Sequence, residues 1–589
     1  MLMSLQLIYG PSGSGKSYTL YKKIIEQSIR EPDREFIVIV PEQFTMQTQR
    51  ELVELHPNRG ILNIDVQSFL RLAWRIFEEV GVDTHTVLED TGKNLLLRRV
   101  ASRQKNDLTV LGRNFRKPGY ISQVKSIISE LKQYDVSLEE LDEQLRSGKK
   151  DALSYKLQDI RNLYEGFQEE LQGKYITSEE ILEELCYVVK KSEILKGCVV
   201  ALDGFTGFTP IQNKLLRELM QTAEKIYVTV TLDAWEDPMK KVSMHKLSYL
   251  SKKTIQQLAG AAKECGCMLE KPEVLGKEGS IRFRSAPALR FLERHLFRPG
   301  NQIYEAQDSQ KLERELSLHV ARDAKAEAEF AARTIWHLVR EENLRYRDIA
   351  VITGDMESFG DHMKKELQQK GIPCFIDRTR KLLLNPLVEF LRAALQIATK
   401  SFRYESVFRY LRTGLAGLKR DEIDRLENYV LANGINSRRR WEEPWDEQEE
   451  PFKEKILPPL LAFVDQVREK DGTVRQKTEA LYDLMVHYGI EQKMQDYREK
   501  FEQEEAYDLA REYEQIYGIV IELFDKLVEL LGDEPMSLQE YTEILDAGFE
   551  EAKVGMIPPT MDCVLVGDIE RTRLKDIKVL FFLGLNDGW

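Results

Sequence analysis

The sequence predicts an α/β protein with two parallel sheets, each interrupted by a largely helical insertion. Three observations predict it. Short strand-like runs alternate with helical periodicity over residues 1–80, which is the βαβ pattern of a parallel sheet. Long helical stretches then intervene, and the strand pattern returns. The same alternation begins again after a polar break near residues 290–315.

The elements follow in order. SLQLIYG, FIVIVP and ILNIDV carry β-branched and aromatic residues bounded by Gly and Pro, and read as strands. SYTLYKKIIEQSI, between the first two, spaces its apolar residues as a helix does. Residues 85–195 have few glycines and long charged helical faces, as in QVKSIISELKQY and KLQDIRNLYEGFQEELQ. CVVALDGF and KIYVTVTL return to strands. SLHVARD, EAEFAARTIWHLVREE and DIAVITG open a second unit, residues 388–550 are again almost wholly helical, and DCVLVGD and IKVLFFLGL close it. The expected first domain is therefore 1–84 with 196–305, carrying the insertion 85–195. The expected second is 306–387 with 551–589, carrying the insertion 388–550. A chain that stops on a strand-like run and its turn reads as cut short.

Composition bounds the function classes. Across 589 residues, 42% are hydrophobic and 31% charged, which excludes a disordered chain and suits several packed domains. The strongest apolar run, VLFFLGL, is far short of the roughly 20 residues that cross a membrane. MLMSLQLIYG lacks a basic leader and does not read as a signal peptide. Six scattered cysteines make no disulfide framework, and Cys265 with Cys267 has no second ligand pair for a metal, so a reducing cytoplasm is expected. The net charge of −13 argues against a small, sequence-blind nucleic-acid binder, although a local basic channel remains compatible with it.

Gly10-Pro-Ser-Gly13-Ser-Gly15-Lys16-Ser17 matches GxxxxGK[ST] between a strand and a helix. In that context the glycines let backbone N–H groups form an anion-binding nest at a helix N-terminus. Lys16 would reach the β- and γ-phosphates of ATP, and Ser17 would ligate Mg²⁺. CVVALDGF supplies the second half of the site, Asp203 at a strand end, able to hold Mg²⁺ through water. The bland alternative is that Asp203 only caps a turn. The next residue is Gly204, where an active hydrolase carries a glutamate, so nothing obvious activates the attacking water. ATP binding with weak or absent hydrolysis is expected.

VPEQFTMQTQ and VQSFLRLAWRIF follow the second and third strands, on the ligand side of an open α/β sheet. Gln43 and Thr45 offer polar groups there, and Phe69, Arg71 and Trp74 offer stacking surfaces and a cation, which is what single-stranded DNA binding uses. Phe69 serves equally well as helix core. Arg98, Arg99, Arg103, Lys105, Arg113, Arg116, Lys117, Lys125 and Lys132 form a basic stretch, either a phosphate-neutralising face or a solvated one. Arg438, Arg439 and Arg440 with Trp441 form a smaller patch, followed at once by acids.

The chain resembles a superfamily 1 helicase in its order of domains, with two RecA-like P-loop-type folds. More closely it resembles the AddB subunits of bacterial AddAB helicase–nucleases. The resemblance rests on GPSGSGKS, VPEQFT, SFLRLAWR, LDGFTGFTP, GIPCFID, NPLVEF, RYESVFRYLRTGL, RLENYVLANGI and IPP…VLVGDIERTRL…FLGLNDG, spread over the whole sequence. It implies a subunit of an enzyme that resects double-strand breaks for homologous recombination, partnered by an AddA-type motor and acting on single- and double-stranded DNA. It further implies a retired motor that reads the Chi sequence as single-stranded DNA through Gln43, Thr45, Phe69, Arg71, Trp74 and Phe205 or Phe208. Gly354 after DIAVIT, and GDIERTRLKDIKVL near the end, depart from motor motifs in the same direction. The family's nuclease site, with its Mg²⁺, and its iron–sulfur cluster would lie beyond Trp589, so no nuclease activity is expected of this stretch. An autonomous helicase would need a displaced acid such as Glu179 or Glu180. A non-catalytic scaffold with a structural nucleotide is the other alternative.

Overall fold

The computed structural model describes every residue except 1–2, 83–85, 105–107, 113–119, 148–150, 173, 297, 299, 301, 378–379, 470–471, 505, 552, 555–561, 571, 573, 575 and 587–589. The chain forms two compact units. The first comprises Met1–Val87, Ser129–Glu140 and Gly173–Val320, and the second Leu88–Ile128, Leu141–Gln172 and Ala321–Trp589.

The first unit is built on a seven-stranded sheet. Its leading elements are β1 (Ser4–Gly10), α1 (Lys16–Arg30), β2 (Phe36–Ile39), α2 (Thr45–Leu55), β3 (Ile64–Gln67) and α3 (Phe69–Val80). β4 (Val199–Leu202), β5 (Lys225–Thr231), β6 (Met268–Leu269) and β7 (Glu273–Val274) complete it. The strand order is β3-β2-β4-β5-β1-β6, with β7 also on β1, and the pairings are parallel. A parallel sheet is covered on both faces, so its strands are apolar runs rather than alternations. The pleat still sorts the side chains. Leu5, Leu7, Tyr9, Ile37 and Ile39 pack against Phe69, Leu72 and Ile76 of α3 and the helix Pro210–Met220. Ile8, Phe36, Val38 and Val40 pack under Leu20, Tyr21 and Ile24 of α1 and Leu52 of α2.

Local signals set the helix ends that matter for the site. Gly15 at φ 86° turns the chain into α1. The Ser68 hydroxyl caps α3 by accepting from the Arg71 N–H. Gly81, at φ 72°, closes α3.

The second unit holds a four-stranded parallel sheet of β8 (Ile349–Thr353), β9 (Cys374–Ile376), β10 (Val564–Asp568) and β11 (Val579–Leu583), in the order β9-β10-β8-β11. Between β9 and β10 runs a long helical stretch, Pro386–Lys400 through Leu538–Glu551, around a core that includes the fully buried Trp441. The α/β class with parallel sheets and helical insertions expected from the sequence is the one the chain adopts. Residues 88–128 and 141–172 of the first insertion pack with the second unit, and 129–140 and 173–195 with the first. Among the described residues, no helix is long and apolar enough to cross a membrane.

Candidate nucleotide and nucleic-acid site

β1 ends at Gly10 and delivers the glycine loop to the N-terminus of α1. Gly13 and Gly15 lie at φ 72° and 86°, in the left-handed region that favours glycine. Among the described residues, no side chain caps the start of α1, which leaves its first N–H groups to a ligand. The Lys16 ammonium folds back over the loop and donates to the Gly10 and Pro11 carbonyls, at 3.0 Å each. Burial pushes Lys16 down to about 8, and Arg282 pushes the same way while Asp203 and Glu293 oppose it.

Asp203 follows β4 and is only 2% exposed. Among the described residues, the hydroxyls of Ser17, Thr229 and Tyr21 hold its carboxylate. Ser17 Oγ donates to Oδ1 at 3.1 Å, Thr229 Oγ1 donates to Oδ1 at 2.6 Å, and the Tyr21 hydroxyl donates to Oδ2 at 2.7 Å. Ser17 thereby spends its proton on Asp203 and keeps its lone pairs for a cation. The buried Ser14 Oγ, within the loop, has no hydrogen-bond partner among the described residues. A positive-φ loop, an uncapped helix start, an ammonium and a Ser–Asp pair fit a magnesium nucleotide. Lys16 and the loop amides would hold its phosphates, and Ser17 and Asp203 its metal. Bound there, Mg²⁺ would neutralise phosphate charge.

A segment remote in sequence finishes the cradle. Leu275 continues β7, and its N–H donates to the Tyr9 carbonyl at 2.8 Å. The Arg282 N–H donates to the Gly13 carbonyl at 3.2 Å, and Ser280 Oγ donates to the Ser12 carbonyl at 3.1 Å. A Cβ on Gly10 would meet the Leu275 carbonyl oxygen at 2.6 Å, and one on Gly13 would meet Arg282 Cβ at 2.7 Å.

The residues expected to contact DNA lie at the C-terminal ends of β2, β3 and β4. Gln43 is exposed on the turn Glu42–Phe44. Thr45 is buried, and its hydroxyl donates to the Glu42 carbonyl at 3.0 Å. Arg71 is exposed and donates through Nε to Glu42 at 2.9 Å, which ties α3 to that turn. Trp74 is 37% exposed and stands edge-on to Phe77. Phe69 is buried, with its ring 5.4 Å from that of Phe205, which is 5.2 Å from Phe208. The three phenylalanines thus form one chain of rings, from a buried anchor to two half-buried members.

Residues 7–293 match the family described as ADDB, N-terminal, and residues 284–547 the UvrD-like helicase C-terminal domain. The whole chain aligns with the B subunit of the ATP-dependent helicase/deoxyribonuclease of Lachnoclostridium phytofermentans at 46% identity, covering 52% of that protein. Proteins of the same name from Clostridium novyi and Clostridium kluyveri are 35% and 34% identical over the whole chain, which covers 51% and 52% of them. The chain belongs to the AddB family. It spans about half the length of the curated relatives it matches.

In this AddB-family chain, Gly204 lies at φ 81°, so the position that lacks a glutamate also has a backbone poorly suited to one. Glu180 is committed elsewhere: it accepts from the Thr177 N–H at 2.8 Å as a helix cap and pairs with Lys132.

Where it is described, the basic stretch is ion-paired with the protein's own acids rather than presented as a phosphate-neutralising face. Arg98 pairs with Glu543, Arg99 and Arg103 with Glu170 and Glu534, Lys125 with Asp90, and Lys132 with Glu180. Arg98 and Arg99 are also buried, so these groups neutralise the protein's own carboxylates. Lys105, Arg113, Arg116 and Lys117 lie outside the described residues. Arg438 is likewise held by Glu442 and Asp465, and Trp441 is core. Among the described residues, no cluster of three His, Cys, Asp or Glu side chains is arranged to hold a metal.

The sequence reading missed Tyr21, Thr229 and Arg282. Tyr21 had a signal, because it lies four residues after Ser17 and so on the same helix face. Thr229 follows Val228, the register partner of Leu202, which places it beside Asp203. Arg282 had no local signal.

Proposed function

We propose that this chain is the helicase-fold part of an AddB-type subunit, one that binds ATP with Mg²⁺ and engages single-stranded DNA without being the motor. The reading extends to a cytoplasmic complex with an AddA-type motor that resects double-strand breaks, in which this chain recognises Chi. The relatives are named as B subunits of a helicase/deoxyribonuclease, which supports such a complex. We assign the nuclease chemistry, with its Mg²⁺ and an iron–sulfur cluster, to residues beyond Trp589.

One observation carries the reading: a complete phosphate cradle stands beside a strand end that offers Gly204 in place of a catalytic carboxylate. Gln43, Arg71 and Trp74, with the Phe205–Phe208 rings, occupy the neighbouring strand ends. An exposed tryptophan and two half-buried phenylalanine rings with an arginine suit unstacked bases, at about 1–3 kcal/mol per stacked base.

The test is ATP binding and hydrolysis by the purified chain, with and without single-stranded DNA, beside Lys16→Ala. Binding without turnover, abolished in Lys16→Ala, is the expected result. DNA-stimulated turnover that disappears in Lys16→Ala would establish a motor and overturn the reading.

A further inference from the structure

Asp203 touches more than the phosphate cradle. Its Oδ2 accepts from the Tyr21 hydroxyl at 2.7 Å, and that hydroxyl lies 3.4 Å from Thr48 Oγ1. Asp203, Tyr21 and Thr48 are 2%, 1% and 0% exposed, so the contacts are shielded from water. A tyrosine hydroxyl has one hydrogen and a carboxylate has none to give. Tyr21 therefore donates to Asp203 and accepts from Thr48, which gives the short chain a direction.

Thr48 belongs to α2, one turn after Thr45 and the turn that carries Gln43. Thr45, Thr48 and Leu52 are the buried residues of α2, so its seat on the sheet is set in part by the hydroxyl contact. The same turn is joined to α3 by Glu42 and Arg71. α3 in turn rests Phe69 on Phe205, two residues after Asp203. One carboxylate is thus linked to both helices of the candidate DNA face, by hydroxyls to α2 and through the chain to α3.

We propose that Tyr21 is a positioning residue that couples occupancy of the phosphate cradle to the DNA affinity of the α2–α3 face. The inference rests on the reading of that face as a DNA site. A cation beside Ser17 and Asp203 changes the field at a buried carboxylate, where hydrogen-bonded groups respond strongly. The response passes to α2 through the Tyr21 hydroxyl, which faces both Asp203 and Thr48. Coupling of this kind is reciprocal: DNA changes nucleotide affinity by the factor by which nucleotide changes DNA affinity.

The experiment measures the affinity of the chain for a fluorescein-labelled single-stranded oligonucleotide, with Mg²⁺ alone and with Mg²⁺ plus a non-hydrolysable ATP analogue. The unmodified chain is expected to show a ratio of about fivefold or more between the two conditions. Tyr21→Phe keeps the ring and removes the hydroxyl, and Thr48→Val keeps the shape and removes the other end. Each is expected to bring the ratio within about twofold of unity, the double variant no further, and Thr48→Ser to restore it. A ratio retained in Tyr21→Phe overturns the inference. DNA binding by the unmodified chain that ignores nucleotide overturns the inference and leaves the proposed DNA face standing. Absence of DNA binding overturns both.

Discussion

Arg71 and Glu42 meet through a 2.9 Å hydrogen bond between Nε and Oε1, with both side chains more than half exposed. An exposed pair of this kind is worth about 0–1 kcal/mol, so a DNA phosphate can take the place of Glu42 at little cost. Glu42→Gln is expected to tighten binding of single-stranded DNA severalfold. Arg71→Ala is expected to weaken it and to lower the salt slope of binding by about 0.7, because one phosphate fewer is neutralised. Titrations at several salt concentrations decide it. A slope unchanged in Arg71→Ala would remove Arg71 from the interface.

The three-ring chain separates support from contact. Phe205→Ala is expected to cost about 1–3 kcal/mol of DNA affinity and to lower the thermal midpoint less than Phe69→Ala does. Phe69→Ala removes a buried ring and is expected to cost about 3–5 kcal/mol of stability. Calorimetry and oligonucleotide binding on the two variants would show the opposite pattern if Phe69 were the contact.

Lys16 gives the nucleotide site a pH dependence with a definite sign. Burial holds its ammonium at about 8 against an ordinary 10.5. Bound phosphates favour the charged form, so the complex holds that proton more tightly than the free protein does. Binding then takes up a proton above pH 8 and none well below it. Affinity for the ATP analogue is expected to be level at neutral pH and to fall by up to about tenfold per pH unit above that point. Lys16→Met should bind weakly with a flat profile. A flat profile in the unmodified chain would contradict the shift.

Restoring the missing carboxylate is not expected to restore a motor. Gly204 sits at φ 81°, where a side chain costs about 1–2 kcal/mol. Gly204→Glu should melt at a lower temperature and hydrolyse no more ATP than the parent chain, with or without DNA. Turnover in this variant would mean that a single side chain separates the chain from an active ATPase.

The phosphate loop was legible because its chemistry is local: eight consecutive residues from Gly10 to Ser17 carry the spacing, and a strand and a helix bracket them. Asp203 was legible for a related reason, since it is a lone acid directly following an apolar strand. The exposure of the DNA candidates was not. Thr45 and Phe69 read like Gln43 and Trp74 in sequence, but they are buried, and only tertiary packing distinguishes them. The pairing of the basic stretch was not legible for a different reason. Its charges are answered by Glu170, Glu534 and Glu543, which are far along the chain. A window of sequence registers the cations and misses their counterions.

The strap from Leu275 to Arg282 has a consequence for how the protein is made. Gly10 and Gly13 are hemmed in by a carbonyl and side chains that the ribosome adds more than 260 residues later. At about 5–20 residues per second, the loop leaves the ribosome on the order of tens of seconds before the segment that braces it. During that interval the nascent chain carries the complete motif without its completed cradle, and an alanine at Gly10 or Gly13 would meet no obstruction from that segment until the strap arrives.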